Sequence, residues 1–173
     1  MRKKHAIFLL CILLSVTSTY ALSENDDLPS ANSDYKKNSV YFELGGNGLF
    51  YSFGYDRLFT ISDISKFSLG SGIMYLLSEG GILASPQINY LIGNKHNIEI
   101  GIGITLPIFI STELNHYIDN FYWFNLYRVG YRYQKKEGGL LFRIGFTPWT
   151  FFITGDKVGT NFTWGGIAVG WTF

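Results

Sequence analysis

The chain has 173 residues, with 14 Lys and Arg against 13 Asp and Glu, a formal net charge of +1 and no basic block, which argues against a nucleic-acid binder. Its single cysteine, Cys11, lies in a leading apolar run, so disulfides, thiolate metal sites and cysteine nucleophiles are excluded from everything after that run. Aromatic residues make up 18% of the chain, yet no later segment is uninterruptedly apolar over the ~18 residues of a helical span; a membrane crossing would have to use strands closed on themselves, which alone satisfy every backbone group in lipid.

Residues 1–21 read as an export signal. Arg2, Lys3 and Lys4 begin it, Ala6 to Val16 are mostly apolar, and Thr19-Tyr20-Ala21 offers small residues where a signal peptidase inspects the chain. The apolar run is shorter than the ~20 residues of a spanning helix, so removal is expected. Residues 22–38, with Asp26, Asp27, Pro29, Asn32, Asp34, Lys36 and Lys37, read as a flexible periplasmic lead-in to a barrel over 39–173.

The first strands show their pairing in a change of parity. Val40, Phe42 and Leu44 share one face, but beyond Asn47-Gly48 the large apolar residues fall on odd numbers, at Leu49, Tyr51, Phe53 and Tyr55. A two-residue hairpin at Asn47-Gly48 explains the change, because Asn-Gly suits a turn in which both residues have φ > 0. Pairing Gly46 with Leu49 then sets Leu44 opposite Tyr51, Phe42 opposite Phe53, Val40 opposite Tyr55 and Glu43 opposite Ser52.

Five further segments repeat the period of two, at Phe67–Leu76, Ser85–Ile92, Tyr122–Gln134, Leu140–Phe151 and Thr163–Phe173. The alternation is cleanest at 97–109, where Ile98, Ile100, Ile102, Ile104, Leu106 and Ile108 interleave with Asn97, Glu99, Gly101, Gly103, Thr105 and Pro107. The count is eight, and the prediction is an all-β, eight-stranded antiparallel transmembrane up-and-down β-barrel. With both termini periplasmic, the outer loops are 47–48, 77–84, 110–121 and 152–162, and the inner turns 60–66, 93–96 and 135–139. A barrel this narrow has room inside only for side chains, so the small and polar face points inward and the Ile, Phe, Tyr and Trp face points to lipid.

That parity sends Glu43, Asp56, Glu99, Arg128, Arg132 and Arg143 into the interior, three acids against three bases. Unpaired charges there would be costly, so opposite signs are expected to pair as a structural plug, with Arg132 meeting Glu99 or Asp56. Histidine is scarce: His5 is lost with the signal, His96 falls in a periplasmic turn and His116 in an outer loop. Ser111, Glu113, His116 and Asp119 supply atom types for an enzyme that modifies lipid A or phospholipids, but one loop seldom holds such groups in hydrogen-bond register. Catalytic residues, cofactors and metal sites are therefore not expected.

Four stretches, Val40-Tyr41-Phe42-Glu43-Leu44-Gly45-Gly46-Asn47-Gly48, Gly130-Tyr131-Arg132-Tyr133-Gln134, Phe142-Arg143-Ile144-Gly145-Phe146-Thr147-Pro148 and Trp164-Gly165-Gly166, resemble uncharacterised members of the OmpA/OmpX-like group of small outer-membrane barrels. The terminal Phe173 is similar to the signal read by the barrel-assembly machinery. The resemblance implies an integral bacterial outer-membrane protein whose partners are outer-membrane lipids, lipopolysaccharide and, during insertion, that machinery. It brings no functional residues with it. The expectation is a non-enzymatic barrel with a structural or surface-interaction role; the alternatives are the lipid-modifying enzyme and a narrow pore.

Overall fold

A computed structural model describes residues 36–48, 50–76, 80–109, 121–153, 157–158 and 164–173. They form β1 (Asn38–Gly45), β2 (Tyr51–Thr60), β3 (Ser65–Leu76), β4 (Gly81–Gly93), β5 (His96–Phe109), β6 (Phe121–Gln134), β7 (Gly139–Phe146), β8 (Trp149–Ile153), β9 (Lys157–Val158) and β10 (Gly165–Thr172). Each strand pairs antiparallel with its neighbours, β5 pairs with β6, and β10 joins β7 to β1. The sheet thus closes into an eight-stranded antiparallel barrel. No helix among the described residues is long and apolar enough to cross a membrane.

Ten strand pieces make eight walls because two walls come in two parts, β7 with β8 and β9 with β10. Pro148 has no N–H to give the ladder, and the predicted Leu140–Phe151 strand splits into β7 and β8 around Thr147-Pro148. Both pieces pair with β6, and Val129 opposite Phe146 and Leu126 opposite Trp149 keep one register across the break. A second proline acts similarly in the β4–β5 seam. Its partners pass from Ala84–Leu106 to Gln87–Gly103, skipping Ser85 and Pro86.

Side chains alternate as a period of two requires. Ile98, Ile100 and Ile102 are about half exposed, while Glu99 between them is 0% exposed. The same inversion holds around the barrel: Val129, Ile144 and Val169 face out, and Arg128, Arg143 and Ala168 face in. The interior is not uniformly small. Tyr41, Leu141 and Ala168 pack in one apolar cluster, and Leu58 packs on Leu91 in another.

The first hairpin has the predicted register and a different turn. Leu44–Tyr51, Phe42–Phe53, Val40–Tyr55 and Glu43–Ser52 are partners. The turn, however, is wider than Asn47-Gly48. The Gly45 N–H donates to Phe50 O at 2.8 Å, and Gly46–Gly48 forms a 3₁₀ turn. The positive φ angles fall on Gly45 (69°) and Gly46 (67°). Glycine at 46 also removes a β-carbon that would overlap the Glu43 carboxylate. Two glycines before the asparagine let the turn fold inward, and Asn47 becomes buried at 2% exposure.

At the opposite end each turn is hydrogen-bonded to the next. Gly93 N–H donates to Ile64 O at 2.8 Å, Gln134 N–H to Lys95 O at 3.0 Å, Lys36 N–H to Lys136 O at 2.9 Å and Leu58 N–H to Lys37 O at 2.7 Å. Lys36 and Lys37 belong to this rim, and Asn38 is already in β1.

Candidate functional site

The only dense concentration of chemically capable side chains among the described residues is the barrel interior. All six charged residues that strand parity sends inward are there: Glu43 and Arg128 are 1% exposed, and Asp56, Glu99, Arg132 and Arg143 are 0%. They come from five strands, β1, β2, β5, β6 and β7, so no single segment of sequence contains the site.

The closure of the barrel pairs them. Arg132 grips Asp56 with both terminal nitrogens, at 2.5 Å and 2.9 Å, and its Nε donates to Gln134 Oε1 at 2.8 Å. Arg143 grips Glu99 through Nε at 3.1 Å and Nη2 at 2.7 Å. Glu99 Oε1 also lies 3.6 Å from Arg132 Nη1, so it serves two guanidiniums. Arg128 Nη2 donates to Glu43 Oε1. Arg132 thus meets both acids proposed for it, Asp56 directly and Glu99 at longer range. Bidentate Arg–carboxylate pairs are among the stronger protein hydrogen bonds, and they replace part of the hydration these buried charges lose, while Arg128 Nε and Nη1 and Arg143 Nη1 make no hydrogen bond.

Neutral polar groups extend the network to the inward turn. Arg143 Cζ stands 4.8 Å from the centre of the Tyr41 ring, and the Tyr41 hydroxyl accepts from Gln87 Nε2 at 2.7 Å. Gln87 Oε1 accepts from Asn47 Nδ2 at 2.6 Å, and Thr105 Oγ1 donates to Asn47 O at 3.3 Å. The turn is thereby held from β4 and β5 as a stopper in the mouth of the lumen. Toward the other end, Gln134 Nε2 donates to Ser39 Oγ at 3.4 Å, and Ser39 shares a hydrogen bond of 3.0 Å with Thr172.

Lys66 completes the interior and is absent from the six. It is 1% exposed, and its ammonium donates to Gly93 O at 2.6 Å, Asn97 Oδ1 at 2.9 Å and Asn94 O at 3.1 Å. These acceptors belong to the β4–β5 turn, so Lys66 pins the rim opposite the stopper. Its signal was parity: an even number in β3, like inward Ser68, with Phe67 and Leu69 on the other face.

Chemically, the arrangement binds charge to charge. Among the described residues no group of His, Cys, Asp and Glu has the makings of a metal site. His96 lies at the rim, with Nδ1 2.6 Å from the Tyr131 hydroxyl. Ser111, Glu113, His116 and Asp119, the residues of the enzymatic alternative, lie outside the described residues.

No protein-family model matches the chain, and no curated protein matches it. Among solved structures it is similar to the N-terminal β-barrel domain of Pseudomonas aeruginosa OprF, at 13% identity and a TM-score of 0.45, over 79% of this chain and 96% of that one.

Proposed function

We propose that this protein is an integral outer-membrane barrel of the OmpA/OmpX-like type with a sealed lumen and a structural or surface-interaction role. The observation that carries this reading is the inversion of polarity. The outward face presents Ile98, Ile100, Ile102, Val129, Ile144 and Val169 around the wall, while guanidiniums and carboxylates fill the inside. In water such a wall would be an aggregation liability far larger than the patches soluble monomers expose. In lipid it is the favoured surface, and the paired charges stay away from hydrocarbon. The reading further takes residues 1–21 as a removed export signal, both termini as periplasmic, and lipids, lipopolysaccharide and the assembly machinery as partners.

The ion pairs and the turn around Asn47 support a structural role over conduction, because they occupy the lumen from rim to stopper. Fractionation of cells expressing the full chain tests the reading. The protein should be found in the outer membrane, resist carbonate extraction and migrate differently on gels with and without heating. Recovery as a soluble periplasmic protein would overturn it. A lipid A mass profile that shifts with expression would replace the structural role with the enzymatic one.

A further inference from the structure

Three glycines make a bare strip on the inner wall. Gly130 on β6, Gly145 on β7 and Gly166 on β10 are direct strand partners in a row. Two guanidiniums cross this strip in opposite directions. Arg128 starts two residues from Gly130 and ends on Glu43 Oε1, which stands 3.1 Å from where a β-carbon of Gly166 would be. Arg143 starts two residues from Gly145 and ends on Glu99, the strand partner of Gly130. The missing side chains leave both arms room to lie along the wall.

Both arms carry unused donors. Arg128 uses only Nη2, on one carboxylate oxygen, and its Nε and Nη1 make no hydrogen bond. Arg143 uses Nε and Nη2 on Glu99, and Nη1, on the far edge of the guanidinium, makes none. Thr147, the other inward neighbour of Gly145, is fully buried, and its hydroxyl is unpartnered too. It faces Arg128 across the ladder, because Val129–Phe146 and Leu126–Trp149 flank the two in one register. Guanidinium N–H groups can only donate, and a buried donor without an acceptor is costly. The charge count leans the same way: the buried ionisable side chains include Arg128, Arg132, Arg143 and Lys66 against Glu43, Asp56 and Glu99.

We propose that the closed lumen holds one small monovalent anion of halide size over the glycine strip. Arg128 and Arg143 Nη1 donate to it, and the Thr147 hydroxyl donates from β7. A halide accepts from several directions at once, brings no hydrogen that would need an acceptor, and offsets the excess positive charge. A water would take two of these donors and then need acceptors for its own hydrogens. The unpartnered amide oxygen of Asn89 is turned over Gly101 on β5, outside the strip. The anion enters as the barrel closes, since the stopper and the rim seal the lumen afterwards. The site belongs to the closed barrel and is independent of the membrane reading.

The test refolds the purified full chain in detergent with sodium bromide, or with sodium gluconate at the same concentration. Crystals of the bromide-refolded protein, with diffraction recorded at the bromine edge, should show one anomalous peak in the lumen between Arg128 and Arg143. Heating, followed by gel migration, should unfold wild type several degrees higher in bromide than in gluconate, with a gap that grows with concentration as ligand linkage requires. Arg128→Lys keeps the charge and can still reach Glu43, but drops the two unused donors, so most of the gap should vanish. Thr147→Val keeps the shape and loses the hydroxyl, and should narrow the gap. Ile102→Leu, on the outer wall, should keep all of it. Density at the site without an anomalous signal would assign a water and overturn the proposal. Bromide on the outer surface alone, equal unfolding in the two salts, or an undiminished gap in both Arg128→Lys and Thr147→Val would each overturn it as well. If Arg128→Lys does not refold, the wild-type peak and Thr147→Val still decide.

Discussion

Arg132 and Arg143 are direct partners in the β6–β7 ladder, and both are fully buried. Like charges in directly opposed positions repel. Glu99 reaches across from β5 to place one oxygen 2.7 Å from Arg143 and 3.6 Å from Arg132, and Asp56 takes the far side of Arg132. Two arginines can face each other because a shared carboxylate stands between them. The position of Glu99 is therefore the most sensitive in the interior.

Glu99→Gln leaves the two guanidiniums facing each other with Asp56 and Glu43 as the remaining acids of the network. Removing one member of a buried pair costs about 3–5 kcal/mol, and this loss should exceed that of Glu43→Gln, which affects a single arginine. Urea unfolding of the barrel in lipid vesicles, followed by gel mobility, checks the order. Equal losses would mean that Glu99 does not bridge.

The Arg132–Asp56 pair should behave as a unit. Arg132→Met and Asp56→Leu should each destabilise strongly, and the combination should recover much of the loss, since an apolar pair strands no charge. Strictly additive losses in the double-mutant cycle would remove the pair from the account.

On the wall, Ile102 is 55% exposed and faces outward near the middle of β5. Ile102→Arg should cost roughly 2–4 kcal/mol, as basic residues do at the bilayer midplane, while Ile102→Leu should be close to neutral. The inward neighbour Gly103 is a poor control. A β-carbon there would stand 2.9 Å from the Pro86 carbonyl oxygen and 3.0 Å from Gln87 Cβ. Stability of Ile102→Arg equal to wild type in lipid would contradict the facing of β5.

The stopper should be separable from the barrel. Gly46 has φ 67° and its missing β-carbon clears the Glu43 carboxylate, so Gly46→Val should push the turn out of the lumen. The expected result is a heat-modifiable barrel with raised ion conductance in planar bilayers over an electrically quiet wild type. Asn47→Ala, which removes only the donor to Gln87, should cost about 1–2 kcal/mol. Steady conductance by wild type would show that the turn does not close the lumen.

Strand number, the register of the first hairpin and the inward charges were legible because period two reports facing directly. Ile98 and Glu99 cannot share a face. Which charge meets which was only half legible. Strand tilt decides whether Arg132 reaches Asp56, 76 residues away, and parity contains no tilt. The fate of Asn47 was hidden for another reason. Asn-Gly is the stronger local turn signal, but the buried acceptor on Gln87 and the two preceding glycines favour an inward turn that only the closed barrel can offer. Pro148 was in plain view, yet the break it makes is local and leaves the register intact.

Closure rests on one seam between the ends of the described chain. Val40 pairs with Trp171 and Ser39 with Thr172, while Asn38 and Phe173 exchange backbone hydrogen bonds of 3.1 Å and 2.8 Å. Deleting residues 171–173 removes these partners and the rim contact between Ser39 and Thr172. The freed N–H and C=O groups of β1 would open the seam from the rim and leave an unpaired edge bordering the lipid, where unsatisfied groups are costly. An open edge is also a template for pairing with other chains. The truncated protein should accumulate unassembled in the periplasm and lose its heat-dependent migration, whereas Trp171→Phe, which keeps the backbone and an aromatic ring, should insert normally. Arrival of the truncated chain in the outer membrane at wild-type level, with that migration intact, would mean that the β1–β10 seam is not what closes this barrel.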